Sequence, residues 1–329
     1  MVIQIIKELF VYQDTQLLFL FCDTAIHAGV GAGLGAIDLP IQRERATDYP
    51  TFYSSGLKGS LRSVMPDDAT TNAIFGPRLV DGRGSLDKAG MIVVGDANIL
   101  AFPVRSLKGV YVWVTCLNVL ARLQRELKVS NQELVAGFDK IPQPSPGAAW
   151  VVRPPAGNVR KYDPCVNGNK VYLEDFDFEV NHKAYDPAPI AKWLSEHALP
   201  TGYTHWRERM LDMLVIVHDD VFRDFTRFAT EVHTRVALND QKTVISGALW
   251  TEEGLPAETL LYAPIRATNE RTTGSTLTPK TALEQVKQRA KSRIQIGGDE
   301  TTGHGLVSLT WYTPQATLPA TAQPAQQPL

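Results

Sequence analysis

Cysteine is scarce in this 329-residue chain: Cys22, Cys116 and Cys165 are the only three. They are far apart and odd in number, so they form neither a disulfide framework nor a CxxC metal knuckle. A reducing, cytoplasmic setting is the expectation. Net charge is also nearly absent, with 33 Lys+Arg against 35 Asp+Glu and a formal charge of −2. That excludes a bulk polycation of the histone kind. Uninterrupted hydrophobic runs are missing too. The N-terminal MVIQIIKELFVYQDTQLLFLF is broken by Lys7, Glu8, Gln13 and Asp14, and no small-residue cleavage site follows. It reads as neither signal peptide nor membrane span, and no membrane partner is expected. No GKS or GKT phosphate loop occurs, and no internal repeat at solenoid periods. Hydrophobic residues make up 44 % of the chain, enough for a sizeable core, which excludes disorder for most of it.

What is present is an irregular alternation of elements. Residues 16–25 read as a buried strand, 54–65 as a helix with N-capping serines, and 91–102 as a strand with a glycine break. Residues 109–127 start β-like and become helical. The proline-rich stretch 141–157 reads as a boundary or exposed loop, and 170–180, alternating apolar and acidic, as a half-exposed strand. Residues 205–229 are helical with a β-like LVIV inside, 230–256 form a hairpin turning at Asn239-Asp240, and 278–294 form a basic amphipathic helix. The pattern favours an α+β sandwich over a doubly wound parallel sheet.

Closely spaced glycines, Gly29, Gly31, Gly33 and Gly35, follow the first strand. Gly31 to Ala36 satisfies the loose GxGxxA form. A dinucleotide fingerprint also needs a helix to start there, and Pro40 stops one. A dehydrogenase reading therefore rests on the spacing alone. The glycines either allow tight turns or let a polyanion approach the backbone.

Four segments together carry a resemblance: HAGVGAGLGAIDLPIQRERATDYP (27–50), SSGLKGSLR (54–62), FPVRSLKG (102–109) and IGGDETTGHGLV (296–307). With them the chain resembles the RAMP superfamily, and within it the backbone subunits, the fourth Cmr proteins, of type III-B CRISPR effector complexes. The anchors span residues 16 to about 310. The resemblance implies a ferredoxin-like, RRM-like palm with inserted fingers and a thumb β-hairpin. It implies one elaborated domain over 1–312, insertions at about 66–90 and 130–204 and a thumb at about 230–262, while the proline-rich, unpatterned 313–329 reads as a disordered tail. It also implies copies stacked head to tail on CRISPR RNA, contact with other Cmr subunits, and cleavage of bound single-stranded target RNA at regular intervals in antiviral defence. The family's Pro-Gly-Ser-Ser is here Tyr53-Ser54-Ser55-Gly56, its Thr-Gly is Thr47-Asp48, and a 15-residue lead precedes the first strand.

Site residues follow from the same match. Asp38 stands where family members need an acid for cleavage. A carboxylate beside the scissile bond can deprotonate the 2′-OH or hold a divalent cation, Mg²⁺ or Mn²⁺. Its bland alternative is an Asx-turn before Pro40. His27 is a candidate acid, or a hydrogen-bonded strand-end histidine. Arg43, Arg45, Lys58 and Arg62, then Arg105 and Lys108, are candidates for guide-RNA phosphates, or routine surface ion pairs. Gly297, Gly298 and Gly303 mark a loop that runs beside the RNA path in this family. Trp250 and Leu255 on the hairpin could wedge against a flipped base, or be core. A non-catalytic RNA-binding filament subunit is the alternative function. Charge is segregated: residues 281–296 carry four bases and one acid, and 174–186 carry five acids and one base. Near-neutrality then means that RNA affinity rests on a few placed cations and on multivalency.

Overall fold

The computed structural model describes residues 12, 14–33, 35–78, 89–130, 132–153, 161–166, 169–270 and 277–313. Most of the N-terminal lead, residues 79–88 of the first insertion and the expected tail from 314 lie outside the described residues.

In chain order the elements are β1 (Asp14–Cys22), β2 (Thr51–Phe52), α1 (Ser54–Ser63), α2 (Ala69–Phe75), β3 (Ile92–Val94), β4 (Ala97–Ser106), β5 (Val110–Cys116) and α3 (Leu117–Lys128). Next come β6 (Ala148–Val151), β7 (Lys170–Leu173), β8 (Phe176–Val180), α4 (Ala188–His197), α5 (Thr204–Met213), β9 (Leu214–Val217) and α6 (Asp219–Phe228). The chain closes with β10 (Glu231–Leu238), β11 (Val244–Gly254), β12 (Leu260–Ala267), α7 (Pro279–Arg289), β13 (Arg293–Gln295) and β14 (Leu306–Tyr312).

The apolar run Leu17–Cys22 of β1 is buried throughout, because the strand lies between β12 and β14, antiparallel to both. Covering on both faces removes the usual alternation. The large sheet runs β13-β14-β1-β12-β4-β5-β9-β6-β8-β7, with β2 on β4 and β3 on β12. Strand β4 is shared: its first half pairs with β12 and its second half, Phe102–Ser106, with β5. Only β5–β9 and β6–β8 are parallel among the described ladders. This mixed, mostly antiparallel arrangement excludes the doubly wound sheet. Helix α1 buries Leu57 and Leu61, one turn apart, and α3 buries Leu120, Leu123 and Leu127. No described helix is long and apolar enough to cross a membrane.

Several expectations change. Tyr53, not a serine, is the N-cap residue of α1, and no side chain caps that end. The proline-rich stretch 141–157 contains β6, an interior strand between β9 and β8. Residues 170–180 are a hairpin rather than one strand, turning at Glu174 with φ +50°. The hairpin β10–β11 is a separate two-stranded sheet ending at Gly254, and the chain from Leu260 belongs to the central sheet as β12. Leu255 is core, 5 % exposed and bridged to Ile26. No helix follows the glycine run, so the dinucleotide reading fails on geometry. Asp48, where the resemblance implies a glycine, takes φ +64°, the conformation a glycine adopts most easily.

Candidate active site

The segment after β1 folds back on itself. Gly29 bridges Ile41, Val30 N donates to Pro40 O, and Gly33 N donates to Asp38 O at 2.7 Å. A Cβ on Gly33 would press on the Pro40 ring at 3.0 Å, so the glycine serves close packing of the two arms. The returning arm docks on the base of β11: Leu39 N donates to Thr251 O, and Glu253 N donates to Leu39 O, both at 3.0 Å.

This docking clamps Asp38. Its Oδ2 accepts from Thr251 N at 2.7 Å and Thr251 Oγ1 at 2.8 Å, while Asp38 N donates to Thr251 Oγ1 at 3.0 Å. The Thr251 backbone bond, followed by the hydroxyl bond, holds the carboxyl below its ordinary range. Asp38 is therefore an exposed, ionised carboxylate with one oxygen fixed. Its Oδ1 accepts no hydrogen bond from the described residues. The Asx-turn alternative does not match: the side chain bonds a strand 213 residues away.

His27 sits beside the same strand. Its Nδ1 lies 2.7 Å from Glu253 O, so Nδ1 carries the hydrogen and Nε2 is left as the open nitrogen. The contact points of Asp38 and His27, Thr251 and Glu253, are two residues apart, roughly 7 Å by strand rise. A Cβ on Gly29 would lie 2.6 Å from His27 Nε2, so Gly29 makes room for the ring. Gly298 N donates to His27 O at 2.9 Å, and a Cβ on Gly297 would lie 2.5 Å from that oxygen. Both glycines thus pack the loop after β13 against the His27 segment. Gly303, with φ +87°, turns the same loop.

Most of the candidate cations are engaged within the chain. Arg43 donates to Asp48 O at 2.9 Å and Thr226 O at 3.0 Å, and meets Glu253 Oε1 at 2.5 Å. Lys58 donates to Ile92 O at 3.2 Å, and burial pulls its ammonium below the ordinary range, with Arg62 adding to the effect. Arg62 binds Gly76 O and Asn72 Oδ1. Arg105 pairs with Glu174 and Asp175 while staying 67 % exposed, and Lys108 pairs with Asp163. Arg45 is exposed. The acidic residues Asp177 and Glu179 both meet Lys170, at 2.6 and 3.2 Å. Trp250 is half-buried opposite Arg235, while Val236, Leu238, Val244 and Leu249 stand exposed on the hairpin. The basic helix α7 borders an open cleft of about 900 Å³ that includes Lys287, Lys291, Arg293 and Trp311. Arg293 is tied there to Asp23 and Tyr203.

Two residues that organise the site escaped sequence reading: Thr251 and Glu253. The visible signal was the pair Glu252-Glu253 in a strand otherwise due to be buried at its base. Glu253 Oε1 takes Arg43 and Thr230 Oγ1, and Oε2 takes Ile41 N at 3.0 Å. Asp38 belongs to no group of three metal-ligating side chains among the described residues. A single carboxylate still suits Mg²⁺ or Mn²⁺ when phosphate oxygens and waters complete the shell.

Comparison with known proteins places this geometry. The family profile of the RAMP superfamily matches residues 21–308. The CRISPR system Cmr endoribonuclease Cmr4 of Pyrococcus furiosus is 35 % identical over 301 residues, 89 % of this chain and 94 % of the relative. The crystal structure of oligomeric Cmr4 from Pyrococcus furiosus superposes with a TM-score of 0.65 at 30 % identity, covering 92 % of this chain and 99 % of that one. A cryo-EM structure of the type III-B Cmr-beta complex bound to cognate target RNA contains a chain of the same fold, with a TM-score of 0.66 at 21 % identity, covering 92 % of this chain and 98 % of that one.

Proposed function

The chain belongs to the RAMP superfamily, and from that premise we propose that it is the backbone subunit of a type III-B Cmr effector complex. In this reading it binds CRISPR RNA, stacks with copies of itself and other Cmr subunits, and cuts guide-bound target RNA. The observation that carries the reading is the clamped Asp38: an exposed, ionised carboxylate held by Thr251, in a chain 35 % identical to a named endoribonuclease. The strands β14, β1, β12 and β4 with α1 correspond, in the same reading, to a ferredoxin-like palm, and β10–β11 to the thumb.

Asp38 Oδ1 accepts the proton of the 2′-OH as that oxygen attacks the adjacent phosphorus. The Thr251 bonds keep the carboxylate ionised and aimed, so little reorganisation accompanies the step. His27, oriented by Glu253 O, presents Nε2 to the leaving 5′ oxygen and, when protonated, donates to it. Asp38 is the residue here that would hold a Mg²⁺ or Mn²⁺ ion together with RNA phosphate, and such an ion would supply neutralisation of negative charge on the phosphate. Guide phosphates fall to exposed cations such as Arg45 and Arg105, and multivalency along the filament supplies the affinity.

The test is reconstitution of the complex with Asp38→Ala. Assembly and RNA binding should persist, and cleavage should fall by at least about 100-fold, the usual scale for a lost general base. Unchanged cutting would end the assignment of Asp38. A wild-type complex that protects target RNA uncut, with Mg²⁺ and Mn²⁺ supplied, would make this a non-catalytic filament subunit.

A further inference from the structure

The opposite face of β11 holds a second constellation. Side chains alternate along a strand, so Glu252 points away from Thr251 and Glu253. It enters a recess closed by the loop between β13 and β14, where it meets Asp299 and His304. One ligand atom from each of these three residues lies within 4.8 Å of the other two. Glu252 is only 4 % exposed. Its Oε1, Asp299 Oδ2 and His304 Nδ1 are all buried and, with both carboxylates ionised, without a hydrogen-bond partner; a proton shared between Glu252 and Asp299 is the alternative to a bound cation. Each such orphan is destabilising if nothing satisfies it. Three together, aimed at one point, indicate a missing occupant.

The surroundings narrow its chemistry. Arg235 Nη2 forms long ion pairs with Glu252 Oε1 at 3.5 Å and Asp299 Oδ2 at 3.7 Å, and its Nε and Nη2 make no hydrogen bond. His27 Nδ1 is 3.9 Å from Glu252 Oε1 but is committed to Glu253 O. The His233 ring packs 5.4 Å from the His304 ring. Two carboxylates facing each other at this burial invite positive charge, and an imidazole nitrogen among them favours a transition ion over Mg²⁺ or Ca²⁺. The loop that supplies two donors is held in register: Gly298 N donates to His27 O, and His304 N donates to Asp299 O.

We propose that Glu252, Asp299 and His304 form a binding site for one divalent transition-metal ion, Mn²⁺ or Zn²⁺, that ties the base of the β10–β11 hairpin to the β13–β14 loop. Ligand oxygens and nitrogens lie about 2.0–2.2 Å from such an ion, so binding draws the three donors closer together. Arg235, on the exposed hairpin, moves aside to leave open coordination positions for water. The site lies across the strand from Asp38 and does not rest on the cleavage reading.

The full-length chain, stripped with a chelator, is titrated with MnCl₂ while free Mn²⁺ is counted by electron paramagnetic resonance, and separately with ZnCl₂ by calorimetry. One ion should bind per chain. Glu252→Gln and Asp299→Asn should weaken binding by more than the roughly tenfold that a change outside the ligand shell produces. Asn tolerates the φ of +61° at position 299, which protects the fold of that variant. His304→Gln serves as a third variant, and circular dichroism checks each. Arg235→Gln should tighten binding by removing the competing cation, and Asp38→Asn should leave it unchanged. Absence of binding by either ion, equal binding in the three ligand variants, or loss of binding in Asp38→Asn would overturn the proposal. In the first case Arg235 and water are the only occupants.

Discussion

Glu252 and Glu253 are adjacent, of the same type, and about equally buried at 4 % and 3 % exposure. Glu253 is saturated: Arg43, Thr230 Oγ1 and Ile41 N occupy its two oxygens. Glu252 has an oxygen with no hydrogen bond, and burial, together with the neighbouring Asp299, pushes its carboxyl above the ordinary range. One faces the loop that carries Asp38, and the other faces the loop of Asp299 and His304. Burial alone therefore does not distinguish a carboxylate that holds a fold together from one that awaits a ligand. Hydrogen-bond satisfaction does, because an unsatisfied buried charge persists only where something offsets its cost.

Substitutions at the two positions should differ accordingly. Glu253→Ala leaves the largely buried Arg43 without its counter-ion and should destabilise the chain by about 3 kcal/mol in urea unfolding. A loss below about 1 kcal/mol would dissolve the contrast. Thr251→Val is next. It removes both hydrogen bonds that the Thr251 hydroxyl makes with Asp38, one donated to Oδ2 and one accepted from Asp38 N, and should cost about 1–2 kcal/mol. It should also shift the acid limb of target cleavage. The bonds from Thr251 hold the Asp38 carboxyl below its ordinary range, so the carboxylate stays ionised to lower pH. Without the hydroxyl the folded pKa rises, and the acid limb should move to higher pH in the reconstituted complex. An unmoved limb would mean that Asp38 is not the group titrating.

Glu252→Gln should be smaller still. In metal-free protein it removes a poorly satisfied charge, so stability should change by less than about 1 kcal/mol or rise. A loss as large as that of Glu253→Ala would show that Glu252 is structural after all. Arg105→Ala is the smallest: its ion pairs with Glu174 and Asp175 are solvent-exposed, and the change should stay within about 0.5 kcal/mol. Target-RNA affinity of the assembled complex is the more sensitive readout there.

The elements with long, one-sided patterns were readable from sequence. Examples are β1, α3, the LVIV of β9 and the amphipathic α7, where apolar spacing directly reports what each element buries. Short elements were not. Strand β6 is only Ala148–Val151 among prolines, and its identity depends on pairing with β8 and β9, which no local pattern encodes. The alternation over 170–180 looked like one strand because a two-residue turn at Glu174 preserves the alternation while reversing the chain. Among site residues, Asp38 and His27 stood out by motif, whereas Thr251 and Glu253 did not. A threonine and a glutamate in a strand carry no signal until a segment 213 residues away docks on them.

The sequence alone determined the class and the inventory: an α+β chain with a glycine-flanked acid at 38, too few cysteines for staples and no net charge to bind RNA in bulk. Residue type and periodicity suffice for that, because burial patterns and titratable groups are local properties. Tertiary structure decided what each charged group does. Folding spent Arg43, Lys58 and Arg62 on buried carboxylate and carbonyl oxygens and left Arg45 and Arg105 exposed. It clamped Asp38 from Thr251, and it set Glu252 among unpartnered donors while saturating its neighbour. Those outcomes depend on distances between remote segments, and the period-2 geometry of β11 alone separates one glutamate from the next.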